Sequence, residues 1–295
     1  MNILMLCKGK VSRYRMPHHI ISSLNSLGCN ADVVRVSDVG VNGLYDIING
    51  YDILLMAKMG RKDRPIIKTE EMKKINTIIK IFYYMNDSID NKREWVGKHA
   101  SICSYSSGTC LYTCNKFKEY GCKNVNQIYQ GYERDWFYTI GSDKINQSLF
   151  IGQLHDKNRK KKMQELREKK FNIVHLNKIS APETNKYFNE YKVNINFCTK
   201  KGFSNRCMRI LGAGGFLLSQ YDKDLEYSFK GGCVFWKTTD ELIEKTNYYI
   251  SHDKEREEIA KRGHDLIQNY TWEKQAEKIL RAINGEIIID GAFKA

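Results

Sequence analysis

The chain has 295 residues, 42% of them hydrophobic, and its 48 Lys and Arg against 34 Asp and Glu leave a formal charge of +14. That length supports two cores of roughly 100 to 150 residues each, and the charge favours an anionic ligand or a polyanionic partner. Apolar runs such as DILLMA and IIKIFYYM fall far short of the ~20 residues of a bilayer span; with no signal peptide ahead of the first strand pattern and nine scattered cysteines, a cytoplasmic protein with reduced thiols is expected.

The first half alternates β-branched or aromatic runs with amphipathic stretches, the pattern of a parallel sheet flanked by helices. Strands are expected at 2–7, 31–36, 52–57, 78–85, 100–105 (ASICSY) and 125–129, with helices near 16–27, 69–77 and 109–120. Cys103, Cys110, Cys114 and Cys122 fall in this half at spacings that match none of the usual zinc-ligand pairs.

The segment YQGYERDWFYTIGSDKINQ has no periodicity and reads as a linker. A second series of strands is expected at 148–153, 171–176, 192–198, 215–220 and 232–236, followed by helices near 239–250, 253–268 and 272–283. The fold expected is α/β, with two doubly wound Rossmann-like domains facing a cleft, an N-terminal one over residues 1–140 and a C-terminal one over 141–295 that keeps the closing helices.

In open parallel sheets ligands bind beyond the carboxyl ends of the strands, and the basic clusters fall at such ends. Residues 151–210 hold 15 Lys and Arg against 5 Asp and Glu, whereas 211–295 hold 12 against 15. Gly9, between Lys8 and Lys10, permits a tight turn and close approach of a ligand to the backbone, although plain turn chemistry explains it equally. In IGQLHDKNRKKKMQEL the first turns of a helix bear His155, Lys157 and Arg159, where unpaired amides and the macrodipole attract phosphate; an exposed lysine-rich helix is the alternative for Lys160 to Lys162. Asp87, directly after IFYYMN, is placed either to take a proton from a hydroxyl or to cap a helix. Arg206 and Arg209 share one helix face, no acidic residue lies within a turn of either, and Gly212 to Gly215 let that helix pack closely. Paired guanidinium forks suit a diphosphate.

From FSNRCMRILGAGGFLLSQ through DELIEKTNYYISHDKEREEIAKRGHDLIQNYTWEKQAEKIL the chain resembles the GT-B glycosyltransferases, and more loosely, over its whole length, the phage DNA β-glucosyltransferases. The looser likeness rests on the IFYYMND strand end, a QG before the linker, and the strand, basic loop and helix of 148–163. The resemblance implies a sugar nucleotide, expected to be a UDP-sugar, held by the C-terminal domain, and an acceptor held by the N-terminal one. It implies inverting transfer with Asp87 as general base, and places His155, Arg159 and Arg206 at phosphate-binding positions. Two departures stand out: His155 replaces an arginine, and Arg209 occupies the place of a glutamate that holds the donor ribose. The fold needs no metal, though a divalent ion could assist product release. The expected acceptor is a hydroxymethylated pyrimidine in duplex DNA, because Lys8, Lys10, Arg13, Arg15, Arg61, Lys62 and Arg64 exceed what a diphosphate needs. A polysaccharide or lipid-linked acceptor at an anionic membrane surface is the runner-up, but no amphipathic basic helix supports it. A nucleic-acid-binding protein without chemistry is the reading from another class.

Overall fold

A computed structural model of the chain describes residues 1–9, 15–57, 65–86, 94–198 and 202–294. Two compact units emerge, the first formed by Met1–Gly131 together with Trp272–Ala295 and the second by Tyr132–Thr271.

The first unit contains β1 (Asn2–Cys7), α1 (Met16–Ser26), β2 (Asn30–Arg35), α2 (Val36–Ile48), β3 (Ile53–Ala57), α3 (Thr69–Ile78), β4 (Lys80–Met85), α4 (Glu94–Ile102), β5 (Tyr105–Gly108), α5 (Leu111–Glu119) and β6 (Val125–Gln127). Its strands form one parallel sheet in the order β2-β1-β3-β4-β5-β6. Successive strand residues point to opposite faces, and both faces are covered. Leu4, Leu6, Leu54, Met56, Ile81 and Tyr83 belong to one core, while Ile3, Met5, Ile53, Leu55, Phe82 and Tyr84 belong to another. Continuous apolar runs such as NILMLC are the sequence form of a strand buried on both sides.

The second unit runs through β7 (Ile145–Ile151), α6 (Lys157–Glu168), β8 (Val174–Leu176), α7 (Ala181–Glu190), β9 (Tyr191–Asn196), α8 (Asn205–Gly212), β10 (Leu217–Gln220), α9 (Lys223–Phe229), β11 (Val234–Trp236), α10 (Thr239–Ser251) and α11 (Asp253–Ile267). Its parallel sheet has the order β11-β10-β9-β7-β8. Both sheets therefore reverse direction beside their first strand, between β1 and β3 in one and between β7 and β9 in the other, and it is at such reversals that doubly wound sheets open a ligand crevice.

Two expectations are corrected. ASICSY does not start a strand: α4 runs through Ala100 to Ile102 and β5 begins at Tyr105. The repeat that decides it is Val96 to Ala100, one turn apart and both buried. The last helix, α12 (Trp272–Ile283), belongs to the first unit and not to the second. Its buried stripe of Trp272, Ala276, Ile279 and Ile283 packs with Ile20 and Leu24 of α1 against Ile3, Met5 and Tyr84, so that face of the first sheet would be wet without it. The chain continues across the same unit, with the Ile288 carbonyl accepting from the Gln127 amide at 2.8 Å and the Asp290 amide donating to the Gln127 carbonyl at 2.8 Å.

Candidate active site

A polar constellation stands at the carboxyl ends of β7 and β9. Asn196, the last residue of β9, is fully buried; its Oδ1 accepts from Arg206 Nη1 at 2.9 Å and from Ser204 Oγ at 3.0 Å, while its Nδ2 donates to Ser219 Oγ at 3.0 Å. Behind Arg206 the ring of Phe150 lies 4.6 Å from the guanidinium carbon, a cation–π support worth about 0.5–2 kcal/mol. Burial pushes the pKa of the Arg206 guanidinium down to about 10, and the nearby charge of Arg159 pushes the same way. Arg159 is oriented by carbonyls, with Nε donating to Phe197 at 3.2 Å and Nη1 to Gln153 at 3.5 Å. Neither guanidinium has a carboxylate within ion-pair distance among the described residues, whereas Lys192 and Arg209 of the same unit each have one and Arg256 has two. Two half-buried cations repelling each other beside a strand end are an arrangement that an oxyanion would stabilise.

Gly152 makes the close fit possible. A Cβ at this position would stand 3.0 Å from Arg206 Cζ and would collide with Nη2. The Gly152 carbonyl accepts from His175 Nε2 at 2.7 Å, and the His175 ring stacks on Phe150 at 5.5 Å. One aromatic side chain thus backs both the arginine and the histidine that fixes the glycine.

The helix-terminus expectation is altered here. At the start of α6 the Asp156 carboxylate accepts from the amides of Asn158 at 3.0 Å and Arg159 at 3.2 Å, so the chain's own anion occupies those donors. An incoming anion would meet guanidinium groups instead. His155, in the turn before α6, is exposed and makes no hydrogen bond among the described residues.

Arg209 is not brought into this cluster as an available cation. It is held by Glu133, a buried residue of the segment read as linker, through Nε to Oε2 at 2.9 Å and Nη2 to Oε1 at 2.6 Å. The Phe137 ring lies 5.2 Å from its guanidinium carbon. The small residues after it do permit close packing: a Cβ on Gly212 would stand 2.5 Å from the Tyr132 ring, and one on Gly215 would stand 2.7 Å from the Phe188 carbonyl.

In the first unit, Lys8, Gly9 and Arg15 are exposed near the end of β1, and Arg15 Nη1 lies 3.7 Å from where a Cβ on Gly9 would be. Asp87, Lys10, Arg13, Arg61, Lys62 and Arg64 lie outside the described residues. Asn86, which precedes Asp87, accepts from Gln130 Nε2 at 2.6 Å through its carbonyl. The residues that sequence reasoning misses are Glu133, Gly152, His175, Asn196 and Ser204. Only Gly152 carries a signal, as a glycine directly after a strand and before a basic helix.

Residues 143–281 match the model of a family described as glycosyl transferase-like. The structure is similar to that of Anabaena HepE in complex with UDP-glucose, at 10% identity and a TM-score of 0.67, over 97% of this chain and 100% of that one. The lipopolysaccharide outer core galactosyltransferase WaaB, in its apo form, is similar at 13% identity and a TM-score of 0.66, over 96% and 99% of the two chains. T4 phage β-glucosyltransferase is similar at 14% identity and a TM-score of 0.64, over 96% and 100%. No curated protein matches the chain in sequence.

The chain has the two-domain GT-B fold. Its family match lies almost wholly within the second unit, the one that carries Arg159 and Arg206. Among the described residues the chain has no group of three or more His, Cys, Asp or Glu able to hold a metal ion, and no helix long and apolar enough to cross a membrane.

Proposed function

We propose that the enzyme transfers a sugar from a UDP-sugar to a hydroxyl, with the donor diphosphate seated at the β7 and β9 ends. The observation that carries this reading is the pair Arg159 and Arg206, both without a carboxylate partner among the described residues and both fixed by neutral oxygens. As the acceptor oxygen bonds to the anomeric carbon, the bond from that carbon to the diphosphate oxygen breaks and negative charge gathers on the leaving group. Arg206 and Arg159 stabilise that charge without having to reorganise, because Asn196, Phe150 and the carbonyls of Phe197 and Gln153 already hold them. Asp87 takes the acceptor proton, in a single displacement that inverts the anomeric centre. His155 sits on the rim of the same loop and adds a hydrogen bond to the diphosphate. Arg209 serves by holding Glu133.

The acceptor we favour is a hydroxymethylated pyrimidine of duplex DNA, met by the basic loops that include Lys8 and Arg15 in the first unit. The likeness to T4 phage β-glucosyltransferase accords with this choice. A glycan acceptor is the second reading, favoured by the comparable likeness to a lipopolysaccharide galactosyltransferase.

The test is a transfer assay with labelled UDP-glucose, UDP-galactose and UDP-N-acetylglucosamine, offered hydroxymethylated duplex, plain duplex and lipopolysaccharide core acceptors. Label on the hydroxymethylated duplex alone supports the DNA reading. Label on the core alone replaces it with the glycan reading. Absence of both transfer and slow release of UDP from every donor refutes the UDP-sugar assignment.

A further inference from the structure

At the other edge of the second sheet, where its strands begin, lies a cavity of about 210 Å³. Lys144 stands just before β7, Lys192 is the second residue of β9, and Arg256, Glu257, Lys261 and His264 face the space from α11. At about 3.3 Å per residue the length of β7 puts this edge roughly 20 Å from the strand ends that carry Arg159 and Arg206, so the two places are distinct.

The cavity is over-supplied with positive charge. Lys192 and Arg256, only 11% and 2% exposed, share one carboxylate, Asp253, which Lys192 meets at 2.6 Å and Arg256 also contacts. Arg256 directs further donors to the Tyr249 carbonyl at 2.8 Å and, weakly, to Glu257 at 3.5 Å. Lys144 donates to the Asn189 carbonyl, and neither it nor Lys261 has an ion pair among the described residues. Four cations thus face two carboxylates. Desolvation, and after it the charge of Arg256, holds the Lys144 ammonium below its ordinary range, which is the direction expected where positive groups crowd. His264 also lines the space, but both ring nitrogens are already engaged, Nδ1 with the Leu211 carbonyl at 3.1 Å and Nε2 with Gln268 at 3.3 Å.

We propose that this cavity is a second anion site, which takes a phosphate-class oxyanion such as inorganic phosphate or the phosphate of a small ester. Lys144 and Lys261 supply the direct contacts, since both are exposed and without a carboxylate among the described residues. Arg256 and Lys192 supply the fixed field beneath them, and Glu257 opposes binding. This site does not depend on the donor reading.

The probe is inorganic phosphate, titrated by calorimetry into the full chain to ~10 mM, about tenfold above a millimolar dissociation constant. The double substitution Lys144→Gln with Lys261→Gln weakens phosphate binding by about tenfold or more, as expected for losing charge-assisted contacts. Lys80→Gln with Lys98→Gln, an equal change of charge in the first unit, leaves it in place, and Arg206→Ala also retains it. Glu257→Gln strengthens it. Loss of binding in Arg206→Ala with retention in the Lys144 and Lys261 variant would assign phosphate to the β7 and β9 ends and overturn the proposal. No heat of binding in the wild type, or no gain with Glu257→Gln, would overturn it equally.

Discussion

Arg209 and Glu133 form a two-pronged ion pair, with contacts of 2.9 and 2.6 Å, across 76 residues of chain. Glu133 is 7% exposed on its side chain and Arg209 is 36% exposed, so the carboxylate bears most of the desolvation and depends on the guanidinium to offset it. Arg209→Ala should therefore lower stability by about 1–3 kcal/mol, nearer the low end because solvent reaches the arginine. UDP affinity should stay near the wild-type value. Denaturant unfolding beside UDP titration checks both; a large loss of affinity with unchanged stability would return Arg209 to the diphosphate.

Arg206 is expected to behave in the opposite way. Its replacement by alanine removes a cation already poised by Asn196 and Phe150, and UDP binding should weaken by about 10- to 100-fold. Arg206→Lys should recover little, because an ammonium can neither lie flat on Phe150 nor present a planar fork. Equal recovery by lysine would mean that only net charge matters at this position.

Gly152 gives a test that leaves both cations in the chain. A methyl group there would force Arg206 Nη2 to move, taking the guanidinium off Asn196. The displaced atom is the end of a flexible side chain, and the backbone φ of 158° adds some strain for a residue with a Cβ. Gly152→Ala should therefore fold at a cost of about 1–2 kcal/mol, while UDP binding falls as it does for Arg206→Ala. Calorimetric UDP titration of the two single variants and the double variant decides the matter. Non-additive losses are expected for groups in direct contact, and additive losses would show that Gly152 acts elsewhere.

Much of the frame is legible in the sequence because strands buried on both faces are written as unbroken apolar runs. NILMLC matches β1 in full, and α12 begins and ends where its periodicity does. What sequence reasoning does not reach is non-local. The role of α12 in the first unit depends on which face of which sheet lacks cover, and Glu133 meets Arg209 only after the chain has traversed β7 to α8. Helices α2, α4 and α9 escape for a different reason: α4 and α9 are only nine and seven residues long, and Gly40 interrupts α2 with a φ of 66°. At the site, Arg159 and Arg206 are visible as cations near strand ends, but Asn196 and His175 are not, since a buried asparagine and a half-buried histidine bear no local mark of what they hold.

His99 makes the first unit acid-sensitive. It is fully buried in α4 beside Trp95, at 5.2 Å between ring centroids, and Tyr83, at 6.5 Å. Neither of its ring nitrogens has a hydrogen-bond partner among the described residues. Burial pushes its pKa from 6.5 down to about 4, so the folded state resists protonation that the unfolded chain accepts. Its contribution to stability is therefore present above pH 6.5 and is lost as the pH falls through about 4, to a total of order 3 kcal/mol for a shift of this size. His99→Leu removes the proton-binding group together with its unpaired nitrogens, and such a replacement is tolerated where the ring makes no polar contact. Urea unfolding of the wild type and of His99→Leu from pH 7.5 to 4.5 should give curves that separate as the pH falls, with the variant keeping more of its stability. Parallel curves would show that the imidazole finds a partner in the folded state.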